Sequence, residues 1–469
     1  MKNTQETEGN VHEVIKEYMT RARKAQQVAD TYSQEKVDEL VTAMAWVIVS
    51  NAEEIAQLTQ EETGLGRLDH KIVKLQKKVR GCLRDIKHEK TRGIVEVNPK
   101  TGITKIAKPV GVVGAITPVT NPEATPVIKS MFAIKGGNAV IVAPHPRGKK
   151  CASKICEYMR QTIEKLGAPA DLIQCIPEPT VELSKELMRQ CDLIAATGGE
   201  AMVHSAYSSG KPAYGVGVGN ACVIVDETAD IKDAAHKIML GKTFDWATSC
   251  SAENSIIVEE SIYNKLLEAL QSEGGYLANK EEKSALQKTM WTAPKMLNRA
   301  IIAQPATKIA EIAGFTIPED RTFLMVEEQG VGVDYPFSGE KLSVVLTVYK
   351  YKGFDNAIAL VNKLTGYMGL GHSCGIHSFD DERIDKLALQ TKTGRVIVRQ
   401  PQSYANSGDW CNGMPFSLSI GCGTWGNNAS SENTQMKHFL NVTLVARPIE
   451  PVIPTDEELF GDYWAKYGK

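Results

Sequence analysis

The chain has 469 residues, 42% hydrophobic and 23% charged, a soluble composition that excludes disorder and low complexity and predicts two or three domains. Its 54 Lys and Arg nearly balance 56 Asp and Glu, so no global field holds a polyanion, and no basic tract interleaved with aromatics points to nucleic acid. The longest apolar runs, such as Val110 to Ile116, fall far short of the roughly 20 residues a bilayer needs, and the N-terminus lacks the pattern of a signal peptide, so a cytoplasmic protein without membrane contact is expected.

The first ninety residues read as helix. Val11, Val14, Ile15 and Tyr18, then Val37, Leu40, Val41 and Met44, follow the i, i+3, i+4, i+7 pattern between charged positions. Near Gly93, β-branched residues alternate around Asn98-Pro99-Lys100-Thr101-Gly102, which predicts a β-hairpin. From Gly111 to about Asp230, apolar runs alternate with helical patterns: GVVGAIT, a helix over 122–135, NAVIVAP, a helix over 149–166, DLIQCI, a helix over 181–190, DLIAATG, a helix from Ala201, and ACVIVD. That alternation predicts a doubly wound parallel sheet. After Asp230 the series restarts with Ile238 to Phe244, NSIIVEE, a helix over 262–272, KLSVVLTVYKY, CGIHSF and GRVIVRQ, so a second α/β domain is expected. The chain closes with a helical SENTQMKHF, a strand LNVTLVARPI and an acidic, then aromatic tail. The strand either pairs with a neighbouring subunit or forms an ordinary edge.

Ten cysteines are scattered without a CxxC pair. That spacing argues against a disulfide framework or a zinc site, and a reducing compartment with no bound metal is expected. Cys250 is set apart by TFDWATSCSAENS, a small polar segment between a predicted helix and a strand. A thiol exposed there attacks a carbonyl if its pKa is lowered and a donor pair holds the oxyanion; the alternative is an inert small side chain. Asn121, in a turn before Pro122, offers such a donor or simply caps the turn. Glycines recur at strand ends in GVVG, ATGGE (196–200) and GVGVGN (215–220). Each is either a packing turn or part of a helix N-terminus that accepts a dinucleotide pyrophosphate.

Taken in order, ITPVTNP, ATGGE, SSGKPAYGVGVGN, KTFDWATSCSAENS, EKLS, GLGH and SLSIGCGTWGNN closely resemble the CoA-acylating branch of the aldehyde dehydrogenase superfamily over nearly the whole chain. The resemblance implies an α/β fold with two doubly wound Rossmann-like domains. Residues 1–92 and 111–231 would hold the cofactor, 232–435 would carry the nucleophile, and 93–110 with 436–450 would form a small β oligomerisation element. It places Cys250 at the catalytic cysteine, Asn121 at the oxyanion asparagine and Glu340 at the glutamate that holds the ribose beside the nicotinamide. Thr117, Pro118, His145, Arg147, Gly198, Gly199 and Gly217 fall on the cofactor side, and Trp246 beside the substrate. The implied reaction converts an aldehyde, CoA and NAD(P)+ to acyl-CoA and NAD(P)H through a thioester on Cys250, in a homodimer or homotetramer.

One departure separates acylating from hydrolysing members. Where the latter carry a glutamate in ELGGK, this sequence reads VGVGN, with Val216 at the glutamate's place, or Gly215 if the register slips by one. Neither takes a proton, so hydrolysis of the thioester is expected to be slower by about 10² to 10⁴, and the CoA thiol takes over. His372 in GLGHSCG matches a histidine of the acylating branch, either helping the CoA step or serving structurally. In IVAPHPR, Ala143 and Pro146 replace a ribose-binding lysine and glutamate, and Arg147 follows. That leans slightly toward NADP, although relatives with a similar turn use NAD.

The stretch SGDWCNGMPFSLSIGCGTWGNN is most similar to branch members acting on sulfoacetaldehyde. Arg399, where acetaldehyde enzymes of the branch have asparagine, is expected either to hold a sulfonate or carboxylate at the substrate funnel or to sit in a surface salt bridge. Three readings stand: an acylating dehydrogenase of a small anionic aldehyde, sulfoacetaldehyde preferred; the same chemistry on acetaldehyde, propanal or succinic semialdehyde; and a non-catalytic assembly or microcompartment component. The set Cys250, Asn121 and Glu340 speaks against the third, as does the lack of a separate amphipathic tag.

Overall fold

A computed structural model describes residues 2–469. Four helices open the chain: Lys2–Ala29 (α1), Gln34–Ser50 (α2), Ala52–Thr63 (α3) and Leu68–Ile86 (α4). In α2, Ser33 accepts from the Lys36 N–H as N-cap, and Val37, Leu40, Val41, Met44 and Ile48 bury one face. In α4, Lys71, Lys74 and Lys78 are buried on the same side as Leu75 and Val79, a placement that only neutralising partners make tolerable. The hairpin Gly93–Asn98 (β1) and Ile103–Pro109 (β2) follows.

The first parallel sheet takes Val112–Thr117 (β3), Ala139–Pro144 (β4), Ile173–Cys175 (β5), Leu193–Thr197 (β6) and Ala213–Val216 (β7), in the order β5-β4-β3-β6-β7. β3 and β4 are buried end to end, which is why their runs are continuously apolar rather than alternating. Helices Thr125–Lys135 (α5), Lys149–Lys165 (α6), Val181–Gln190 (α7) and Glu200–Tyr207 (α8) connect the strands. The winding reverses between β3 and β6, so a crevice opens at their carboxyl ends. α5 begins at Thr125 rather than at 122, and residues 118–124 are left as a loop above the crevice.

The second parallel sheet is built from Cys222–Val225 (β8), Ser255–Glu259 (β9), Gly275–Leu277 (β10), Phe323–Glu327 (β13), Val345–Tyr351 (β14), Cys374–His377 (β15) and Val396–Val398 (β16). Its order is β10-β13-β14-β9-β8-β15-β16, and Trp291–Ala293 (β11) with Met296–Leu297 (β12) forms a separate two-stranded ribbon. ACVIVD, expected to close the first sheet, is β8, paired with β9 and β15 near the centre of the second. The boundary between sheets therefore falls in 217–221, ahead of position 231, because the glycine-rich segment carries the chain across. Ile238 belongs to helix Ile231–Thr243 (α9), which joins β8 to β9.

Two further expectations change. SENTQMKHF is not a helix beyond a single turn at Met436–Phe439. Its backbone bonds elsewhere, Thr434 N–H to Ser419 O and Gly421 N–H to Glu432 O. The strand Leu440–Ala446 (β17) pairs antiparallel with β2 of its own chain, Leu440 opposite Pro109 and Ala446 opposite Ile103. Ile94, Val97, Val442 and Leu444 of this three-stranded sheet remain exposed. Among the described residues no helix is long and apolar enough to cross a membrane.

Candidate active site

A cavity of about 310 Å3 runs from the β3/β6 crevice to the loop before β9, and Pro118, Asn121, His145, Gly198, Gly199, Gly217, Cys250 and Glu340 all line it. A larger chamber of about 660 Å3 adjoins it, with Gly217, Val218 and Glu340 as a common wall.

Cys250 reaches this cavity through an unusual turn. After α9, the residues Asp245, Trp246 and Ala247 have φ of 50°, 49° and 61°, a left-handed run that side chains other than glycine adopt at a cost of about 1–3 kcal/mol each. Asp245 is fixed there by the Arg67 N–H at 2.7 Å and the Thr248 hydroxyl at 2.9 Å. The reversal delivers residues 248–253 to the amino end of β9. Gly219 crosses directly beneath: a Cβ there would lie 2.0 Å from Cys250 O, so only glycine lets the two backbones pass.

Half-buried Cys250 has its Sγ 3.3 Å from His372 Nε2, and His372 Nδ1 lies 2.8 Å from Ser373 Oγ. Burial, then the nearby Arg395, pushes the imidazole down to about 3, so His372 is neutral, and in the tautomer with its proton on Nδ1 toward Ser373 Oγ its Nε2 accepts from the thiol. Burial, then the Glu340 carboxyl, pushes the thiol up to about 12, with Arg395 pulling the other way. Glu340 is itself raised to about 8 by burial, although its Oε1 accepts from Gly219 N–H at 3.1 Å. Near pH 7 it is therefore mostly protonated, and its repulsion of a thiolate is largely relieved.

Across the cavity, Asn121 is backed by buried charge. Lys74 Nζ donates to Asn121 Oδ1 at 2.6 Å, to Glu123 Oε1 at 2.8 Å and to Asp245 Oδ2 at 2.5 Å. Lys71 Nζ lies 3.2 Å from Asp245 Oδ2 and 3.7 Å from Glu123 Oε1. Two ammonium groups thus balance two carboxylates out of contact with water.

The crevice half of the cavity suits a dinucleotide. The N-terminus of α8 has no side-chain cap at Gly199, and a Cβ there would meet nothing within 4 Å, leaving backbone N–H groups open to a pyrophosphate. The Thr117 hydroxyl is buried without a partner. His145 stands exposed at the mouth, and after partial desolvation the charges of Arg147 and Arg299 hold its pKa below the usual range. Arg147 is tethered through Nη2 to Thr63 O at 3.1 Å.

The aldehyde dehydrogenase family profile matches residues 3–283. A sulfoacetaldehyde dehydrogenase from an Acholeplasma species is 47% identical over 96% of this chain and 94% of its own. The chain belongs to the aldehyde dehydrogenase family. Within the family, a sulfoacetaldehyde dehydrogenase (acylating) from Bilophila wadsworthia is 45% identical over 97% of this chain and 99% of its own. The crystal structure of an acetylating aldehyde dehydrogenase from Geobacillus thermoglucosidasius superposes with a TM-score of 0.92 at 36% identity, covering 96% of this chain and 99% of that one.

Against the expectations for this aldehyde dehydrogenase, two residues are elsewhere. Arg399 follows β16 at its carboxyl end, whereas Cys250 and His372 sit at the amino ends of β9 and β15 in the same parallel sheet. Its guanidinium donates to Ser378 O at 2.5 Å and lies 4.5 Å from the Phe379 ring centre. It thus neither lines the Cys250 cavity nor, among the described residues, makes an ion pair. Trp246 does not line the cavity and stacks with Arg67, whose Cζ is 5.1 Å from its ring centre. Val216 is buried at the end of β7, and Gly217 with Val218 face the cavity in its place. Sequence reasoning missed Lys74, Glu123, Asp245 and Arg395. The signal for the first was Lys71, Lys74 and Lys78 at i, i+3, i+7 on α4, a stripe that ordinarily marks a solvated face.

Proposed function

We propose that the chain catalyses the CoA-acylating oxidation of a small anionic aldehyde, sulfoacetaldehyde, with NADP+ preferred over NAD+. The observation that carries this reading is the glycine-rich wall beside Cys250. The GVGVGN segment contributes Gly217 and Val218 to the Cys250 cavity and no carboxylate of its own. The Glu340 carboxyl that shares the cavity is raised to about 8 by burial and is assigned to the ribose, so an acyl group on Cys250 persists until a thiol removes it. Relatives named for sulfoacetaldehyde at 47% and 45% identity support the substrate. Arg147 and Arg299, both near His145, favour a 2′-phosphate.

The thiolate of Cys250 adds to the aldehyde carbon while the Asn121 amide donates to the oxygen that becomes negative. Because burial raises the Cys250 thiol to about 12 and the neutral His372 adds no charge to offset it, the thiolate is a minor species and its population sets the rate of attack. A nicotinamide dinucleotide held by Thr117, Pro118, Gly198, Gly199 and Glu340 supplies the hydride acceptor. The CoA thiol then takes the acyl group and regenerates Cys250, with His372 Nε2 positioned to accept a hydrogen bond from either sulfur. Thr120 and Ser407 line the same cavity, and their hydroxyls are candidates for the anionic end of the substrate. The enzyme works in the cytoplasm as a homo-oligomer built on the exposed β1-β2-β17 sheet, which size-exclusion at micromolar concentration tests; a strict monomer contradicts it.

Initial rates with CoA across sulfoacetaldehyde, acetaldehyde, propanal and succinic semialdehyde, each with NADP+ and NAD+, test the assignment. The highest kcat/KM is expected for sulfoacetaldehyde with NADP+. A higher value for a neutral aldehyde overturns the substrate, and a higher value with NAD+ overturns the cofactor preference.

A further inference from the structure

We propose that Lys74 is a positioning residue for catalysis: it fixes which end of the Asn121 amide faces the aldehyde. The inference rests on Asn121 being the oxyanion donor.

An amide presents a carbonyl on one side and an NH2 on the other, and heavy atoms alone do not decide which is which. Here the neighbour decides. An ammonium group has three N–H donors and no acceptor. Lys74 Nζ lies 2.6 Å from the Asn121 side chain, so only the carbonyl can face it. The NH2 is then left on the cavity side, where Asn121 lines the same space as Cys250. Turned over, the amide would set N–H against ammonium in a buried site and offer the oxyanion a carbonyl, unfavourable at both ends.

Lys74 has nothing to spare for the substrate. Its three donors are matched by Asn121 Oδ1, Glu123 Oε1 at 2.8 Å and Asp245 Oδ2 at 2.5 Å. The Thr248 hydroxyl, 3.5 Å away, already donates to Asp245 Oδ2. Burial by itself would lower the pKa of Lys74, yet the Asp245 and Glu123 carboxylates hold it above its usual value, so the residue remains a donor throughout the working range of pH. The cluster also reaches Cys250, because Thr248 lies two residues before it and hangs from the same Asp245 carboxylate. Gly66 closes the assembly: a Cβ there would come within 2.1 Å of Asp245 Oδ1. One buried charge cluster thus orients the donor amide and anchors the cysteine loop.

The test is a cycle read as kcat/KM for acyl-CoA formation, with thermal midpoint and NADP+ affinity as controls for folding. Its members are Asn121→Ala, the charge-balanced pair Lys74→Met with Glu123→Gln, and all three changes together. Loss of an oxyanion donor costs about 10² to 10³ in rate. Asn121→Ala is expected to lose about 100-fold, chiefly in kcat, and the charge-balanced pair about as much. The triple variant is expected to fall no more than about threefold below Asn121→Ala, because Lys74 acts only through that amide. If the pair loses less than threefold while Asn121→Ala keeps its full loss, or if the losses multiply in the triple variant as a merely structural role requires, the inference is overturned. If Asn121→Ala itself loses less than threefold, the oxyanion reading fails first and the role of Lys74 falls with it. Should the pair fail to bind NADP+, Lys74→Arg replaces it. Arginine is also donor-only and is expected to keep more than a tenth of the activity; a loss equal to that of Asn121→Ala contradicts the proposal.

Discussion

The two parallel sheets work at opposite ends. The first presents the carboxyl ends of β3 and β6, with Pro118 and Gly198 just beyond them, as open α/β sheets generally do at the point where the winding reverses. The second presents its amino ends: Gly219 precedes β8, the Cys250 loop precedes β9, His372 precedes β15 and Arg395 precedes β16. A residue after one of these strands is removed from the thiol by the strand's length, about 13 Å for four residues at roughly 3.3 Å each. Strand polarity therefore divides the cavity: the first sheet builds its crevice end, and the second the end that holds Cys250.

The largest expected effect breaks one sheet and spares the other. Cys250→Ala should reduce acyl-CoA and NADPH formation to background while NADP+ still binds with affinity within about twofold of wild type, since the crevice is built by the first sheet. Residual turnover above a few per cent would show that the amino ends of the second sheet are not where the chemistry occurs. Ser251 offers only an unactivated hydroxyl.

The titration of the thiol sharpens the same division. With Cys250 raised to about 12, the thiolate fraction grows about tenfold per pH unit below that value. The pre-steady-state rate of NADPH formation should therefore rise steeply from pH 6 to 8. Glu340, raised to about 8, then ionises toward the thiolate and flattens the rise. His372, held near 3, should contribute no inflection around 6.5. Stopped-flow rates that plateau below pH 7, or inflect at 6.5, would contradict these protonation states.

At the cofactor end the effect is smaller. Arg147→Ala should raise KM for NADP+ about tenfold, the scale of one lost charge-assisted contact, and change KM for NAD+ less than twofold. Equal changes for the two cofactors would remove Arg147 from recognition of the 2′-phosphate. The smallest effect belongs to Arg399, at the wrong end of β16. Its φ of 50° suits asparagine, and Arg399→Asn should leave kcat/KM within about twofold for both sulfoacetaldehyde and acetaldehyde. A selective loss on the sulfonate would mean that the carboxyl ends of the second sheet also reach the substrate.

Legibility in the sequence follows the same contrast. The apolar runs of β3, β4, β5 and β6 and the helices between them are local patterns readable where they stand, whereas β7, Ala213–Val216, was missed because its segment reads as a glycine turn. Cys250, Asn121, Glu340 and His372 were readable as motifs; the fold brings the first three to one cavity and buries His372 against the Cys250 thiol. Arg399 was misplaced because a strand-end motif does not say which end of the sheet the reaction uses. β8 was counted in the wrong sheet because Cys222–Val225 reads as one more apolar strand, and only its pairing with β9 and β15 tells otherwise. Lys74 was invisible for a different reason. A lysine stripe on a helix reads as solvated, and its burial depends on Glu123 and Asp245, which lie 49 and 171 positions further along the chain. Arg395 is similar: its guanidinium is met by the carbonyls of His372, Gly421 and Ser431 and by Asn433 Oδ1, none of them a local signal.

The most direct measurement follows NADPH and acyl-CoA together when enzyme, NADP+ and sulfoacetaldehyde are mixed with and without CoA. Without CoA, a burst of about one NADPH per active site should be followed by a rate at least about 100-fold below that with CoA, and mass spectrometry should find the acyl group on Cys250. With CoA, steady turnover should release one acyl-CoA per NADPH. Steady CoA-independent turnover yielding the free acid at a comparable rate would contradict an active site in which Gly217 and Val218 stand where a water-activating carboxylate would be needed.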